Sequence, residues 1–306
     1  MIITAGELLV EFVSHELDCG LAKTTQFSGP FPSGAPAIFA SQAARVGAKC
    51  GMIGSVGNDP FGSVLIDRLV ADGVNVDSVT TRSDHTTGTA FVSYFTNGSR
   101  CFVFHLNNTA ADRELVSPVI LPETIFHISG SSLGNTALRS GIMNIVEEVA
   151  SVGEISFDPN IRQELMSDPE TRCCLDKIMD VATYLLPSDA DIDFLFPDSS
   201  PEDIILKMLA MGKKAVVVKQ GADGAIGSCD GNIVKSNPIA VEEVDPTGAG
   251  DCFCGTFIGL IDQRASFEDA LNAATIAGGL HVLERGPMEW NPTLEEINKH
   301  KISERA

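Results

Sequence analysis

The residues best placed to do chemistry stand together in Val244-Asp-Pro-Thr-Gly-Ala-Gly-Asp-Cys-Phe-Cys-Gly-Thr-Phe257. Pro246 and the two glycines force a non-regular turn, and from Cys252 onward the apolar run reads as a helix. Gly248, Ala249, Gly250 and Asp251 then occupy its first turn. The amides of a first turn have no intrahelical partner and coincide with the positive end of the helix dipole, so they form a cradle for a phosphate. A carboxylate at Asp251 can take the proton of a hydroxyl that attacks this phosphate, while the amides stabilise charge on the transferring oxygens. The same spacing also suits an aspartate that only caps the helix.

Other residues suit the same chemistry. Asn160 and Arg162 follow Asp158-Pro159 directly after a buried strand, at the carboxyl end where ligands of open α/β sheets bind. The planar fork of Arg162 fits a carboxylate or a phosphate, or else a surface ion pair. Lys219 ends another buried strand, where its ammonium could reach a phosphate or solvent. Gly221 and Gly224 serve the turn after it. His105 and Asn107 close a predicted hairpin and could touch a substrate, although a lone histidine is more often structural. The eight cysteines match no paired metal spacing and sit in apolar contexts, so they read as small buried thiols.

These residues need elements to position them. Strand patterns over 2–11, 50–57, 125–128, 154–157, 183–186 and 215–218 alternate with helix patterns over 37–46, 61–72, 134–150, 201–211, 250–262 and 267–283. Such alternation predicts a doubly wound α/β fold, a mostly parallel sheet with helices on both faces. The small residues of 37–46 imply a helix whose backbone is closely approached. The stretch 88–105 breaks the rhythm: it alternates like a β-hairpin turning at Asn97-Gly98. Its aromatic residues read as packing inside a small inserted sheet.

Composition limits the functions available. With 44% hydrophobic and 20% charged residues the chain is that of a globular protein, and no apolar run approaches a membrane span. A net charge of -20 without basic clusters argues against nucleic acid as a partner. An anionic ligand must therefore be held locally, by a metal ion, a few basic side chains and backbone amides. The N-terminus shows no secretory pattern, so the expected location is cytoplasmic.

Asp245-Pro-Thr-Gly-Ala-Gly-Asp-Cys-Phe-Cys-Gly255 resembles the C-terminal signature of the ribokinase-like (PfkB) carbohydrate kinases, Asp-x-Thr-Gly-Ala-Gly-Asp-x-Phe-x-x-Gly, at every fixed position. The resemblance extends over nearly the whole chain, including Gly6-Glu-Leu-Leu-Val-Glu11, Ser33-Gly-Ala-Pro-Ala-Ile-Phe-Ala40 and Phe157-Asp-Pro-Asn-Ile-Arg162. It implies that Gly248, Ala249 and Gly250 form an anion hole, that Asp251 is the catalytic base, and that ATP and Mg²⁺ are the cofactors. It implies sugar contacts at Glu11, Gly34, Ala35, Pro36, His105, Asn160 and Arg162, and nucleotide contacts at Lys219, Gly221, Gly224 and Thr275. Asp245 and Thr247 resemble a place where some members bind a monovalent cation such as K⁺.

The chain departs from the family in two places. Ile38 stands where an asparagine usually bonds the sugar, and Ser188-Asp-Ala-Asp191 replaces an Asn-x-x-Glu motif associated with Mg²⁺, leaving Asp191 to act through water. The expectation is one kinase domain over 1–306 with a β lid from about 11–30 and 86–107, dimerising through that lid. It would phosphorylate a primary hydroxyl of a ketohexose or a 2-keto-3-deoxy sugar acid. The alternatives are a nucleoside kinase or a sugar- or nucleotide-binding protein without catalysis.

Overall fold

The structure, a computed structural model, describes residues 1–97 and 99–303. Its first finding concerns 2–11, which the strand pattern reads as one strand broken by glycine. It forms two strands in different sheets, β1 (Ile2–Ala5) and β2 (Leu9–Ser14). Gly6 lies at the crossing, where a Cβ would sit 2.5 Å from Ser132 Oγ and 2.6 Å from Pro36 Cγ. No larger residue fits there.

The chain continues through β3 (Phe27–Ser33), α1 (Ala35–Arg45), β4 (Cys50–Gly57), α2 (Pro60–Ala71), β5 (Asn75–Arg82), β6 (Gly88–Tyr94) and β7 (Arg100–His105). Then come β8 (Ile125–Ser129), α3 (Thr136–Val152), β9 (Glu154–Asp158), α4 (Pro169–Val181), β10 (Tyr184–Leu185), α5 (Asp189–Leu195), α6 (Pro201–Ala210) and β11 (Ala215–Lys219). The last elements are β12 (Ala225–Ser228), β13 (Val234–Ser236), α7 (Ala249–Asp262), α8 (Phe267–His281) and α9 (Leu294–Ser303).

Nine strands form one sheet in the order β13-β12-β11-β10-β9-β8-β1-β4-β5, parallel from β11 to β5 and antiparallel at β12 and β13. Side-chain alternation along its strands feeds two cores. Ile2, Met52, Val217 and residues of α1, α2, α7 and α8 share one core, while Ile3, Ile53, Val216 and residues of α3, α4 and α6 share the other. The sheet is thus covered on both faces, as the alternation predicts.

The small sheet has the order β3-β2-β6-β7. Its β6–β7 pair is the expected antiparallel hairpin, but β2 and β6 run parallel, which period-2 alternation cannot distinguish. Of the predicted turn, Asn97 accepts the Ser99 amide at 2.9 Å, and Gly98 lies outside the described residues. The close approach expected of α1 is made to α7: a Cβ on Gly255 would meet the Phe39 carbonyl oxygen at 2.6 Å.

All eight cysteines are free, but only four are buried; Cys173 and Cys229 are exposed, contrary to the reading of them as buried. Both lie outside the core-facing positions of their segments. No described helix is long and apolar enough to cross a membrane.

Candidate functional site

The opening of α7 is shaped by its glycines. Gly248 has φ +90°, and a Cβ there would lie 2.8 Å from Ile38 Cδ1 and 3.0 Å from the Pro287 carbonyl oxygen. Conformation and space both require glycine. Ala249, Gly250 and Asp251 complete the first turn. Asp251 is 8% exposed, yet its side chain accepts no hydrogen bond among the described residues, and Oδ1 is fully enclosed. A capping aspartate would bond a backbone amide, so capping, which the spacing also allowed, is not its role here. Burial first, and then the Asp158 carboxylate, push its pKa up to about 8, against Lys219 and Arg162.

Lys219 and Asp158 end β11 and β9, two strands apart, with the two-residue β10 between them. Their side chains form a buried ion pair across that short strand. Burial is the largest single influence on the Lys219 ammonium and opposes it, but the Asp158 carboxylate together with Cys254 and Asp191 outweighs this and raises its pKa. The ammonium also lies 3.5 Å from Cys254 Sγ, and a Cβ on Gly250 would be 3.6 Å from it. A fixed positive charge therefore borders the first turn of α7.

These groups open onto one cavity of about 800 Å³. Of the residues singled out in the sequence, Asn160, Arg162, Asp191, Lys219, Gly221, Gly224, Gly248, Ala249, Gly250, Asp251 and Thr275 all line it. Asn160 donates from Nδ2 to Ser129 Oγ at 3.0 Å. The Thr275 hydroxyl donates to the Leu271 carbonyl of its own helix at 3.0 Å, so the residue meets the cavity as wall. Asp191 accepts the Ile161 amide at 2.7 Å on Oδ1, and the Ser188 amide and hydroxyl, each at 2.7 Å, on Oδ2. It completes a capping box with Ser188. That structural task explains the Ser188-to-Asp191 spacing and leaves Asp191 facing the cavity with both oxygens engaged.

Other expected site residues lie elsewhere. Glu11, Gly34, Ala35, Pro36, His105, Asp245 and Thr247 do not line this cavity. His105 is exposed at the end of β7, and Gly34 to Pro36 form the start of α1, with a Cβ on Gly34 only 2.4 Å from the Glu7 carbonyl oxygen. Glu11 is buried beneath the small sheet, where it accepts the Ser33 hydroxyl at 3.3 Å and leaves Oε1 unpartnered. Burial, and then Asp245, push its pKa up to about 8. Ile38, where the resemblance leads one to expect a sugar-binding asparagine, is 2% exposed and packs behind Gly248.

Asp245 accepts the Tyr94 hydroxyl and, at 3.0 Å each, the amides of Thr247 and Gly286. The Thr247 hydroxyl lies 2.5 Å from Tyr94 Oη, and its carbonyl faces His281. The carboxylate is thus engaged on three sides by protein donors. Sequence reasoning missed Asp158, Tyr94, Arg100 and His281. Arg100 comes from the small sheet and lines the same cavity as Arg162, with no local pattern to mark it.

No group of three His, Cys, Asp or Glu among the described residues is arranged to hold a metal unaided. The donors present suit a nucleotide's phosphates instead: the amide turn and the Lys219 ammonium, with the orphaned Asp251 carboxyl beside them as an acceptor.

The family model for the pfkB family carbohydrate kinases matches residues 4–294. Fructokinase-1 of Oryza sativa subsp. japonica is 30% identical, over 98% of this chain and 97% of its own length. Among solved structures, a provisionally named ribokinase II from E. coli is 39% identical over 99% of both chains, with a TM-score of 0.93. The same protein in complex with ATP and Mg²⁺ gives a TM-score of 0.90 at 38% identity, over 99% of both chains. Fructokinase from Vibrio cholerae O395, at 24% identity over 97% of this chain and 98% of its own, shares the fold with a TM-score of 0.82. With its signature turn built as described and nearly its whole length matched, the chain belongs to the pfkB family of carbohydrate kinases.

Proposed function

We propose that this kinase transfers the γ-phosphoryl group of ATP to a primary hydroxyl of a ketohexose or a 2-keto-3-deoxy sugar acid, with Asp251 as the general base. The hydroxyl oxygen bonds to the γ-phosphorus as the bond to the β,γ-bridging oxygen breaks, ADP leaves, and the hydroxyl proton passes to Asp251. The observation that carries this reading is Asp251 Oδ1, enclosed and without a partner beside the first-turn amides of α7. An unpartnered buried carboxylate oxygen is costly unless a ligand completes it. Lys219 and the amides of Gly248 to Gly250 hold the phosphates. Mg²⁺, which would enter with the nucleotide and keep much of its water, offsets phosphate charge, with Asp191 in reach through water. K⁺ at Asp245 and Thr247 would have to displace the Tyr94, Gly286 and His281 donors.

A sugar acid is favoured by one further observation. Arg100 and Arg162 both line the cavity, and neither guanidinium has an ion-pair partner among the described residues. An ADP-formation assay across neutral ketohexoses and 2-keto-3-deoxy acids tests both levels of the reading. Turnover with an acid acceptor, and a sugar KM raised at least about tenfold in Arg162→Ala, is expected for loss of a charged hydrogen bond. Silence with every acceptor, alongside sugar binding by calorimetry, would identify a binding protein instead. We infer also that two copies associate through the small sheet, whose edge strand β7 leaves Val103 and Phe104 about half exposed.

A further inference from the structure

Gly248 is held from behind by a residue that the proposed chemistry does not use. His281, at the end of α8, is 1% exposed, and its Nε2 lies 2.8 Å from the carbonyl oxygen of Thr247. Its Nδ1 lies 2.9 Å from Asn291 Oδ1. Asn291 Nδ2 donates to Ser41 Oγ at 2.8 Å, and Ser41 Oγ donates to Asp72 Oδ2 at 2.6 Å. Asp72 is anchored in turn by Arg45 at 2.8 Å and Arg68 at 2.7 Å. The imidazole is therefore fixed by a chain of side chains running from α1 and α2 to the catalytic turn.

The Thr247 carbonyl and the Gly248 N–H belong to one peptide unit. That unit is planar, and in the trans form its C=O and N–H point in opposite directions. A donor that holds the oxygen from the core side thereby turns the Gly248 N–H away from the core, on the side where Gly248 lines the cavity. Gly248 has no side chain of its own to hold this orientation, and its φ of +90° belongs to a freely adopted region only for glycine.

We propose that His281 is a positioning residue for phosphoryl transfer: by donating from Nε2 to the Thr247 carbonyl, it fixes the peptide whose N–H opens the anion cradle. A carbonyl oxygen only accepts, so Nε2 must carry hydrogen; Asn291 Oδ1 only accepts as well, so with both contacts made the ring donates from both nitrogens, as the cation. Burial lowers the ring's pKa, and its hydrogen bonds to Thr247 and Asn291 and the Asp245 carboxylate oppose that shift. The Thr247 contact needs only the Nε2 hydrogen; a neutral ring protonated there keeps that contact and gives up the hydrogen bond to Asn291. The role rests on the reading of Gly248 to Gly250 as the phosphate cradle, and it extends that reading to the residue that aims it.

His281→Leu keeps the volume and removes the donor, whereas His281→Gln restores an N–H near the position of Nε2. Loss of an oriented oxyanion donor costs about 10²–10³ in kcat, and a donor that remains present but loosely aimed should cost less. The expected result is a folded Leu variant with kcat down about tenfold or more, an unchanged sugar KM, and recovery of most of kcat in the Gln variant. Amide NMR provides the structural readout: the Gly248 resonance moves in His281→Leu and returns toward its original position in His281→Gln. Asp251→Asn, measured alongside, separates the two levels, since substantial turnover there would refute the underlying reading of the turn. If Asp251→Asn is inactive while His281→Leu loses only thermal stability and keeps its kcat, or if Gln does no better than Leu, the role assigned to His281 is wrong.

Discussion

The Asp251 carboxyl illustrates a conflict between folding and chemistry. Folded, its pKa is pushed up to about 8 by burial and by Asp158, from an ordinary 3.8. A raised pKa means that the folded state favours the protonated form. The stability this group contributes is therefore full below about pH 4 and is lost as pH rises toward about 8. Asp251→Asn carries a permanently neutral side chain of the same shape. Its melting temperature should match the parent's near pH 4 and exceed it by a growing margin toward pH 8, while kcat falls by about 10²–10⁴. Melts that run parallel at every pH would show that Asp251 is not held protonated. The same shift predicts that kcat/KM of the parent, which reports the free enzyme, rises with pH and levels off above about 8. This residue was legible in the sequence because its partners, Gly248 to Gly250, are its neighbours in the chain. The Lys219–Asp158 pair was not, since 61 residues separate the two and the sheet order that brings the ends of β9 and β11 together is not a local pattern.

At the scale of elements, the small sheet is tied to the catalytic turn through one side chain. Tyr94, the last residue of β6, reaches Asp245 and Thr247 across a separation of about 150 residues. Arg100 on the neighbouring β7 lines the cavity, so the orientation of this sheet sets one of the cavity's walls. Tyr94→Phe removes the hydroxyl and keeps the ring. A hydrogen bond to a charged group is worth about 1.5–3 kcal/mol, and with part of this expressed in sugar binding, kcat/KM for the sugar should fall about tenfold with the nucleotide KM unchanged. Equal kcat/KM in parent and variant would show that the contact does not shape the site. The sequence identified Tyr94 only as an aromatic of an alternating strand, because the pattern says which face a residue takes and not what lies opposite. The strands β5, β12 and β13 also escaped the strand patterns: β5 is partly buried and polar apart from Val76 and Val79, and the other two are only three or four residues long.

For the molecule as a whole, the alternation of strands and helices and the cover on both faces of the sheet could be read from periodicity, whereas α4, α5, α9, the pairing of β2 with β6 and any contact between copies could not. Pairing of a second copy depends on an exposed edge, which a soluble monomer normally blunts with charge, proline or a covering loop. The described edge strand β7 instead presents Val103 at 51% and Phe104 at 55% exposure, with Phe102 and Phe104 stacked at 5.4 Å between ring centroids. Contact between two such edges would cover apolar area that water otherwise meets, at about 25 cal/mol per Å². It would also brace the sheet that carries Arg100 and Tyr94. Phe104→Asp places a charge on this surface without touching either core. In sedimentation velocity the parent should run as a dimer and the variant as a monomer. The monomer should show a higher sugar KM, because a wall of the site has lost its support. A parent that sediments as a monomer at every concentration, or a monomeric variant whose sugar KM is unchanged, would dissociate the small sheet from assembly or from the site, respectively.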